Sequence, residues 1–130
     1  MHTISGEALR RALRGYPTGV TVVTTRGRAG DHGMTANSFT AVSLNPPLIL
    51  VCAYARSRGP AMIAANGVFT VNVLSADQEY LSRRFACADR PRGAAAFRRR
   101  QASRGSNGLG HPDRRLRVPG LPAVGVASGR

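Results

Sequence analysis

The first quarter of the chain changes from a helical to a strand-like pattern of apolar residues. Four apolar residues recur at the spacing of one helix face: Leu9, Ala12, Leu13 and Tyr16. Ser5 precedes them as a suitable helix cap. The segment from Thr18 to Thr25 is almost entirely β-branched and predicts a strand, which the turn of residues 26–31 ends. A second strand is predicted to enter at Gly33.

The middle of the chain continues with alternating elements. Asn45-Pro46-Pro47 predicts a turn, because proline has no N–H for a strand ladder. The elements predicted after it are a strand over Leu48 to Ala53, a short helix over Pro60 to Ala65, a half-buried strand over Val68 to Leu74, and a helix that begins at Ser75 or Asp77. The first of these strands is apolar on both faces, so we expect it in the middle of a barrel or sandwich.

Length and composition favour one globular domain. The 130 residues are 42% apolar, with no run long enough to span a membrane and no apolar signal-peptide core at the start. We therefore expect a soluble cytoplasmic protein without a membrane partner. Cys52 and Cys87 lie far apart and the three histidines are scattered, so neither a disulfide framework nor a metal site is expected.

The net charge of +13 belongs mainly to the end of the chain. Up to Asp89 there are nine arginines and five acidic residues, which leaves +4, whereas ten arginines face only Asp113 from Arg90 onward. This second segment is rich in Arg, Gly, Ala and Pro and lacks a sustained period, which is typical of poorly ordered chain. We predict a folded portion over residues 1–89 and a poorly ordered tail over residues 90–130.

Two short segments offer candidate binding chemistry. In the stretch from Gly33 to Val51, small neighbours surround five hydroxyl or amide side chains: Thr35, Asn37, Ser38, Thr40 and Ser43. Such a stretch suits either a planar ligand that approaches the backbone or a hairpin whose Ser and Thr face solvent. Arg56-Ser57-Arg58 suits either a solvated loop or a grip on phosphate, since guanidinium groups pair bidentately with phosphate oxygens.

Three segments of the chain together resemble the flavin reductase-like family: YPTGVTVVTT (residues 16–25), GMTANSFTAVSLNPPLILV (residues 33–51) and GVFTVNVLSADQEYLSRRFA (residues 67–86). The resemblance implies a mainly β fold with short helices, an FMN-binding split β-barrel that is incomplete at its C-terminus. It implies binding of FMN or FAD, with NAD(P)H as co-substrate, and reduction of flavin for a two-component monooxygenase. It also implies a homodimer and possible partnership with that monooxygenase.

The resemblance further implies the cofactor-binding residues Met34, Thr35, Ala36, Asn37, Ser38, Ser43, Cys52, Arg56, Ser57, Arg58 and Phe85. Residues 35–38 would bond the polar edge of the flavin ring, and the loop of residues 56–58 its phosphate. Gly59-Pro60 departs from the family pattern and removes one donor. The helix spacing of Phe85 with Leu81 predicts a core position instead, and both interpretations stay open. No catalytic residue is expected, because hydride transfer needs no general acid or base.

After Asp89 the family's later segments, including the one associated with nicotinamide, are not recognisable. Two explanations compete: a divergent natural tail and a shift of coding frame. Because activity is in doubt, we expect the chain to bind flavin without oxidising NAD(P)H, and the alternative is an inert remnant. Within the tail, only Leu116 to Val126 suits one irregular strand. The alternative function is a nucleic-acid-binding protein that acts through its arginines, although Phe97 is the only aromatic residue after Phe85.

Overall fold

The computed structural model describes residues 3–97 in full and the backbone of residues 115–119. Its elements in chain order are α1 (Gly6–Leu13), β1 (Thr21–Thr25), β2 (His32–Ala36), β3 (Phe39–Leu44), β4 (Pro47–Val51), α2 (Arg58–Asn66), β5 (Val68–Val73), α3 (Glu79–Ala86) and β6 (Arg115–Pro119). Short 3₁₀ turns cover Ala76–Gln78 and Gly93–Phe97. A mainly β fold with short helices is thus confirmed.

The strands form two antiparallel sheets. The larger sheet has the order β2-β1-β5-β6, and the smaller one is the hairpin of β3 and β4. Within the described residues no strand pairing joins the two sheets, so this part of the split barrel is open. Strand β6 pairs with β5 at the start of the segment where the sequence suggested an irregular strand; residues 120–126 of that segment lie outside the described residues.

The core lies between the larger sheet and α3. Val22 of β1 is fully buried and packs with Leu81 and Phe85 of α3. Ala96 joins the same cluster, and the ring of Phe97 lies 5.4 Å from that of Phe85. Packed structure therefore continues past Asp89 as far as residue 97, while the boundary between a folded portion and a poorly ordered tail stays a prediction.

The helices begin at or near the residues that the sequence predicts, with α3 preceded by the 3₁₀ turn at Ala76–Gln78. The Ser5 hydroxyl accepts a hydrogen bond from the Ala8 backbone N–H at the start of α1. Ser75 and Gln78 form a reciprocal capping box before α3. Helix α2 begins two residues earlier than predicted, at Arg58, and ends at Asn66; Gly67 caps it, and its φ of 65° suits glycine at that position.

Two predictions about the elements need correction. Strand β1 begins at Thr21 rather than Thr18. Strand β4 was expected in the middle of a barrel or sandwich, but its only described neighbour is β3, and its residues are at most half-buried. The predicted stripe of α1 is likewise uncovered, because Leu9 and Leu13 are exposed in the described structure. In both cases apolar periodicity identified an element without identifying what covers it.

The turn between β1 and β2 is held by Asn66, the last residue of α2. Its amide Nδ2 donates to the Thr25 hydroxyl and to the Gly30 carbonyl, and its Oδ1 accepts from the Ala29 N–H at 2.9 Å. A side chain at Gly27 would have its Cβ 2.6 Å from that Oδ1, which explains why glycine occupies the position. Asn66 thereby fixes where β2 begins, at His32.

Candidate functional site

A cavity of about 350 Å³ lies between the start of β2, the start of α2 and the segment after α3. We call it the arginine cavity, because four arginines line it: Arg56, Arg58, Arg90 and Arg92. The other side chains of the predicted site that line it are Met34 and Ser57. The fold therefore brings the loop of residues 56–58 against β2, from which it is separated by about twenty residues of sequence.

The charge of the arginine cavity is strongly positive. Asp31 is the acidic residue among its lining residues, and its carboxylate is already held by Arg26, with N–O distances of 3.0 to 3.1 Å. Like charges in close proximity raise the free energy of the empty cavity, and an anion would lower it. The arrangement is therefore suited to an anionic ligand.

His32 reports on this electrostatic environment. Burial is the largest cause that lowers the pKa of its imidazole, and the positive charges of Arg90 and then Arg58 lower that pKa further. The neutral imidazole is thus favoured. Both arginines act on this one ring.

The start of α2 packs closely on β2. Gly59 is buried, and a Cβ built there would lie 2.5 Å from the Met34 sulfur and 3.7 Å from the His32 Nε2. Ser57 precedes the helix as its N-cap but makes no side-chain capping bond; its hydroxyl donates to the Tyr54 carbonyl at 2.7 Å. The Ser57 hydroxyl, which the sequence assigned to a phosphate, therefore donates its hydrogen bond within its own loop.

A second depression, of about 580 Å³, lies beyond the end of β2. We call it the hairpin cavity; it is lined by residues 16–19, Thr21, residues 37–40 and Val73. Two residues of the predicted site, Asn37 and Ser38, lie there. The Ser38 hydroxyl binds the backbone of Cys52 in both directions, to its carbonyl at 2.8 Å and from its N–H at 3.1 Å. Asn37 is exposed and makes no side-chain hydrogen bond with the described residues.

The remaining predicted site residues lie in neither cavity. The Thr35 hydroxyl donates to the Ser82 carbonyl of α3 at 2.7 Å, and the Ala36 carbonyl accepts from the Thr21 hydroxyl. Ser43 lies in the β3–β4 hairpin, where its hydroxyl accepts from the Asn45 N–H. The structure thus gives these polar groups partners within the fold.

Cys52 and Phe85 complete the predicted set. Cys52 follows β4 with an exposed thiol, joined to the hairpin cavity only through its backbone bonds to Ser38. Phe85 is 2% exposed and packs in the core under Gly33. The core position that helix spacing predicted is the one that the structure shows.

Sequence reasoning missed three basic residues of the arginine cavity. His32 was treated as one of three scattered histidines, and Arg90 and Arg92 were assigned to the tail. No sequence motif marks any of them. The signal that identifies them is spatial: Arg90 lies beside the β2 backbone, with its Nη2 donating to the Gly33 carbonyl at 2.9 Å.

The chemistry of the described residues is that of binding and placement. No group of three or more potential metal ligands occurs among them. Every helix in this part of the chain is too short or too polar to cross a membrane. Guanidinium groups around a cavity of this size suit phosphate, and an exposed amide such as Asn37 can both donate to and accept from a heterocycle.

Comparison with known proteins assigns a family. A family model described as "Flavin reductase like domain" matches residues 13–124, which is most of the chain. The chain is 48% identical to an NADH-dependent FAD reductase of Streptomyces globisporus, over 68% of this chain and 48% of that protein. It is 40% identical to the reductase subunit HsaB of a flavin-dependent monooxygenase of Rhodococcus jostii, over 66% of this chain and 44% of that protein.

Solved structures agree with this assignment. The chain superposes with a TM-score of 0.67 on BorF, the flavin reductase component of a bacterial two-component tryptophan halogenase, at 43% identity. The match covers 78% of this chain and 63% of BorF. The split-barrel fold is thus confirmed, and the chain spans about half the length of the two curated relatives named above.

Proposed function

The chain belongs to the flavin reductase like domain family, and from this premise we propose that it binds a flavin nucleotide, FMN or FAD, and reduces it with NAD(P)H. The observation that carries the proposal is the arginine cavity, where Arg56 and Arg58 line a space beside Met34. Met34 belongs to the stretch of residues 33–51 that carries the sequence resemblance, and the resemblance assigns the loop of residues 56–58 to the flavin phosphate. Their meeting in one cavity supports a shared ligand.

The flavin ring is proposed to lie toward the hairpin cavity. From Met34 to Asn37 the extended backbone covers three residues, or about 10 Å. The ribityl chain that joins the ring of FMN to its phosphate bridges a comparable separation. The phosphate would then contact Arg58 while the exposed Asn37 amide bonds the polar edge of the ring.

The redox chemistry of this proposal belongs to the cofactor, which accepts a hydride from the nicotinamide and yields NAD(P)⁺ and reduced flavin. The protein contributes binding and orientation. Reduced flavin would pass to a monooxygenase or a related oxygen-using component, as the names of HsaB and BorF suggest for those relatives. Neither the family match nor these relatives support nucleic-acid binding, the alternative that the arginine-rich tail suggested.

Titration of the full chain with FMN and with FAD tests the first half of this proposal. We expect saturable quenching of flavin fluorescence, because a bound ring is removed from water and placed against protein groups. Addition of NADH or NADPH should then give flavin-dependent loss of the nicotinamide absorbance. Absence of flavin binding would overturn the proposal, whereas binding without oxidation would restrict the function to binding, as the sequence led us to expect.

A homodimer is part of the proposal. Its support is the apolar surface of the β3–β4 hairpin and the loop after it, where Leu44 is 92% exposed and Tyr54 is 86% exposed. Large exposed apolar side chains on one hairpin and the loop after it favour a protein interface. Light scattering of the full chain should give twice the monomer mass, and a double Leu44→Ser, Tyr54→Ser variant should shift the equilibrium to monomer. A wild-type monomer that still binds flavin would refute this part.

A cytoplasmic location is proposed as well. Both Cys52 and Cys87 are free and exposed, and exposed thiols persist most readily in a reducing compartment. Recovery of the protein from a soluble cell extract with both thiols reactive toward a maleimide is the expected result. Recovery only from a membrane or exported fraction would contradict it.

A further inference from the structure

Arg90 forms one wall of the arginine cavity. The family resemblance assigns no role to this residue. Its side chain is half-buried, and two backbone carbonyls fix its guanidinium: Nη1 donates to Cys87 at 2.7 Å and Nη2 donates to Gly33 at 2.9 Å. A guanidinium has five N–H donors, so three remain after these two bonds with described residues. Arg90 is therefore held in place and can still bind an anion.

His32 stands between this wall and the start of α2. It is half-buried on β2, with Nε2 close to Gly59 in the first turn of α2. Burial, then Arg90 and then Arg58 lower the pKa of its imidazole. The other charged residues that line the cavity are Asp31, which is held by Arg26, and the exposed Arg56 and Arg92.

Three elements thus bring basic side chains to one space: α2 brings Arg58, β2 brings His32, and the segment after α3 brings Arg90. We propose that Arg90 and His32 bind the same phosphate group as Arg58, and that His32 takes up one proton from solvent when the phosphate binds. The site accepts a phosphate monoester. That the monoester is flavin mononucleotide rests on the function proposed above; the phosphate site itself does not.

The proton uptake follows from the electrostatics. Without a bound anion, burial and the two arginines lower the pKa of the His32 imidazole, which favours its neutral form. A bound phosphate dianion offsets the arginines and offers an acceptor, which favours the imidazolium. Phosphate binding and protonation of His32 therefore favour each other. The affinity of the cavity for phosphate should rise as the pH falls toward 6.5, the usual pKa of histidine.

The test uses the full chain, its Arg90→Gln and His32→Gln variants, and Arg28→Gln as a control that removes an exposed arginine outside the cavity. FMN binding should weaken roughly tenfold in R90Q and less than twofold in R28Q, while riboflavin, which lacks the phosphate, should bind all four proteins alike. Calorimetry near pH 7 in two buffers of different ionisation heat should show proton uptake with FMN in the wild type, and none in H32Q or with riboflavin. FMN itself can exchange a proton on binding, but this contribution is the same for every protein compared at one pH, so the difference in proton uptake reports on His32.

Equal FMN affinity in R90Q and R28Q, or the same proton uptake in H32Q and the wild type, would overturn the inference. If R90Q does not fold, Arg90→Lys keeps the cation and serves in its place. Its FMN affinity should lie between those of the wild type and H32Q, with riboflavin binding unchanged. An equal loss of affinity for both ligands would overturn the inference. Inorganic phosphate separates this inference from the proposed function. If phosphate shifts the His32 imidazole resonances while no flavin binds, the phosphate site stands and the flavin function fails.

Discussion

Replacing Arg58 by alanine is expected to weaken FMN binding about tenfold or more and to leave riboflavin binding unchanged. A charge-assisted hydrogen bond contributes roughly 1.5 to 3 kcal/mol. Arg58 is exposed at the start of α2, so solvent screening favours the lower end of that range. Because riboflavin has the ring without the phosphate, the ratio of the two losses reports on the phosphate contact alone. Fluorescence titration measures both affinities.

Arg28→Ala is the matched control for this prediction. It removes the same kind of side chain from the exposed turn before β2, which does not line the arginine cavity. A general effect of net charge on nucleotide binding would lower FMN affinity in both variants. Equal weakening of FMN and riboflavin by R58A would exclude the phosphate role, and no effect on either would place the site elsewhere.

The elements of the fold could be predicted largely from local signals. The Ser5 cap, the capping box at Ser75 and the glycine after α2 each determine one helix end through bonds between near neighbours in sequence. The surroundings of each element could not be predicted in this way. The apolar run of β4 is equally compatible with a central strand and with a hairpin strand, because apolar periodicity records a tendency toward burial and not the partner that provides it.

The candidate site was predictable to a smaller extent. Arg56 and Arg58 were identified because a pair of arginines around a hydroxyl is a local motif, and the structure places both in one cavity. Thr35 and Ser38 were assigned to the ligand, yet in the structure their hydroxyls bond Ser82 and Cys52. A hydroxyl can serve a ligand or a backbone group equally well, and only the three-dimensional arrangement decides which is near.

For Arg90 the prediction failed in the opposite direction: the sequence assigned it no role in the site, but the structure places it in the arginine cavity. Arginines in a segment of Arg, Gly, Ala and Pro predict a solvated tail, since such a segment has little apolar surface to bury. Two bonds to the Cys87 and Gly33 carbonyls nevertheless fix this one against β2. Composition averages over a segment, whereas the contribution of Arg90 depends on two individual carbonyls, one of them 57 residues away in sequence.

Replacing Phe85 by alanine is expected to cost about 3 to 5 kcal/mol of unfolding free energy, a large part of the roughly 5 to 15 kcal/mol that a domain possesses. The ring is 2% exposed and packs with Val22 and Leu81. It lies so close to Gly33 that a Cβ there would be 2.6 Å from its Cε1. Its removal leaves a cavity that the rigid sheet cannot close. Denaturant unfolding of the full chain measures the loss.

Two further variants give this prediction its control and decide the role of Phe85. Ile4→Ala truncates an apolar side chain that is 60% exposed and lies outside the hairpin of the proposed dimer interface, so it should change stability by no more than about 0.5 kcal/mol. Phe85→Leu keeps most of the apolar volume and should stay folded. If Phe85 only supports the core beneath Gly33, folded F85L will bind riboflavin as the wild type does. A loss of riboflavin affinity in folded F85L, with F85A no less stable than I4A, would show that the ring contacts the flavin and is not a core residue.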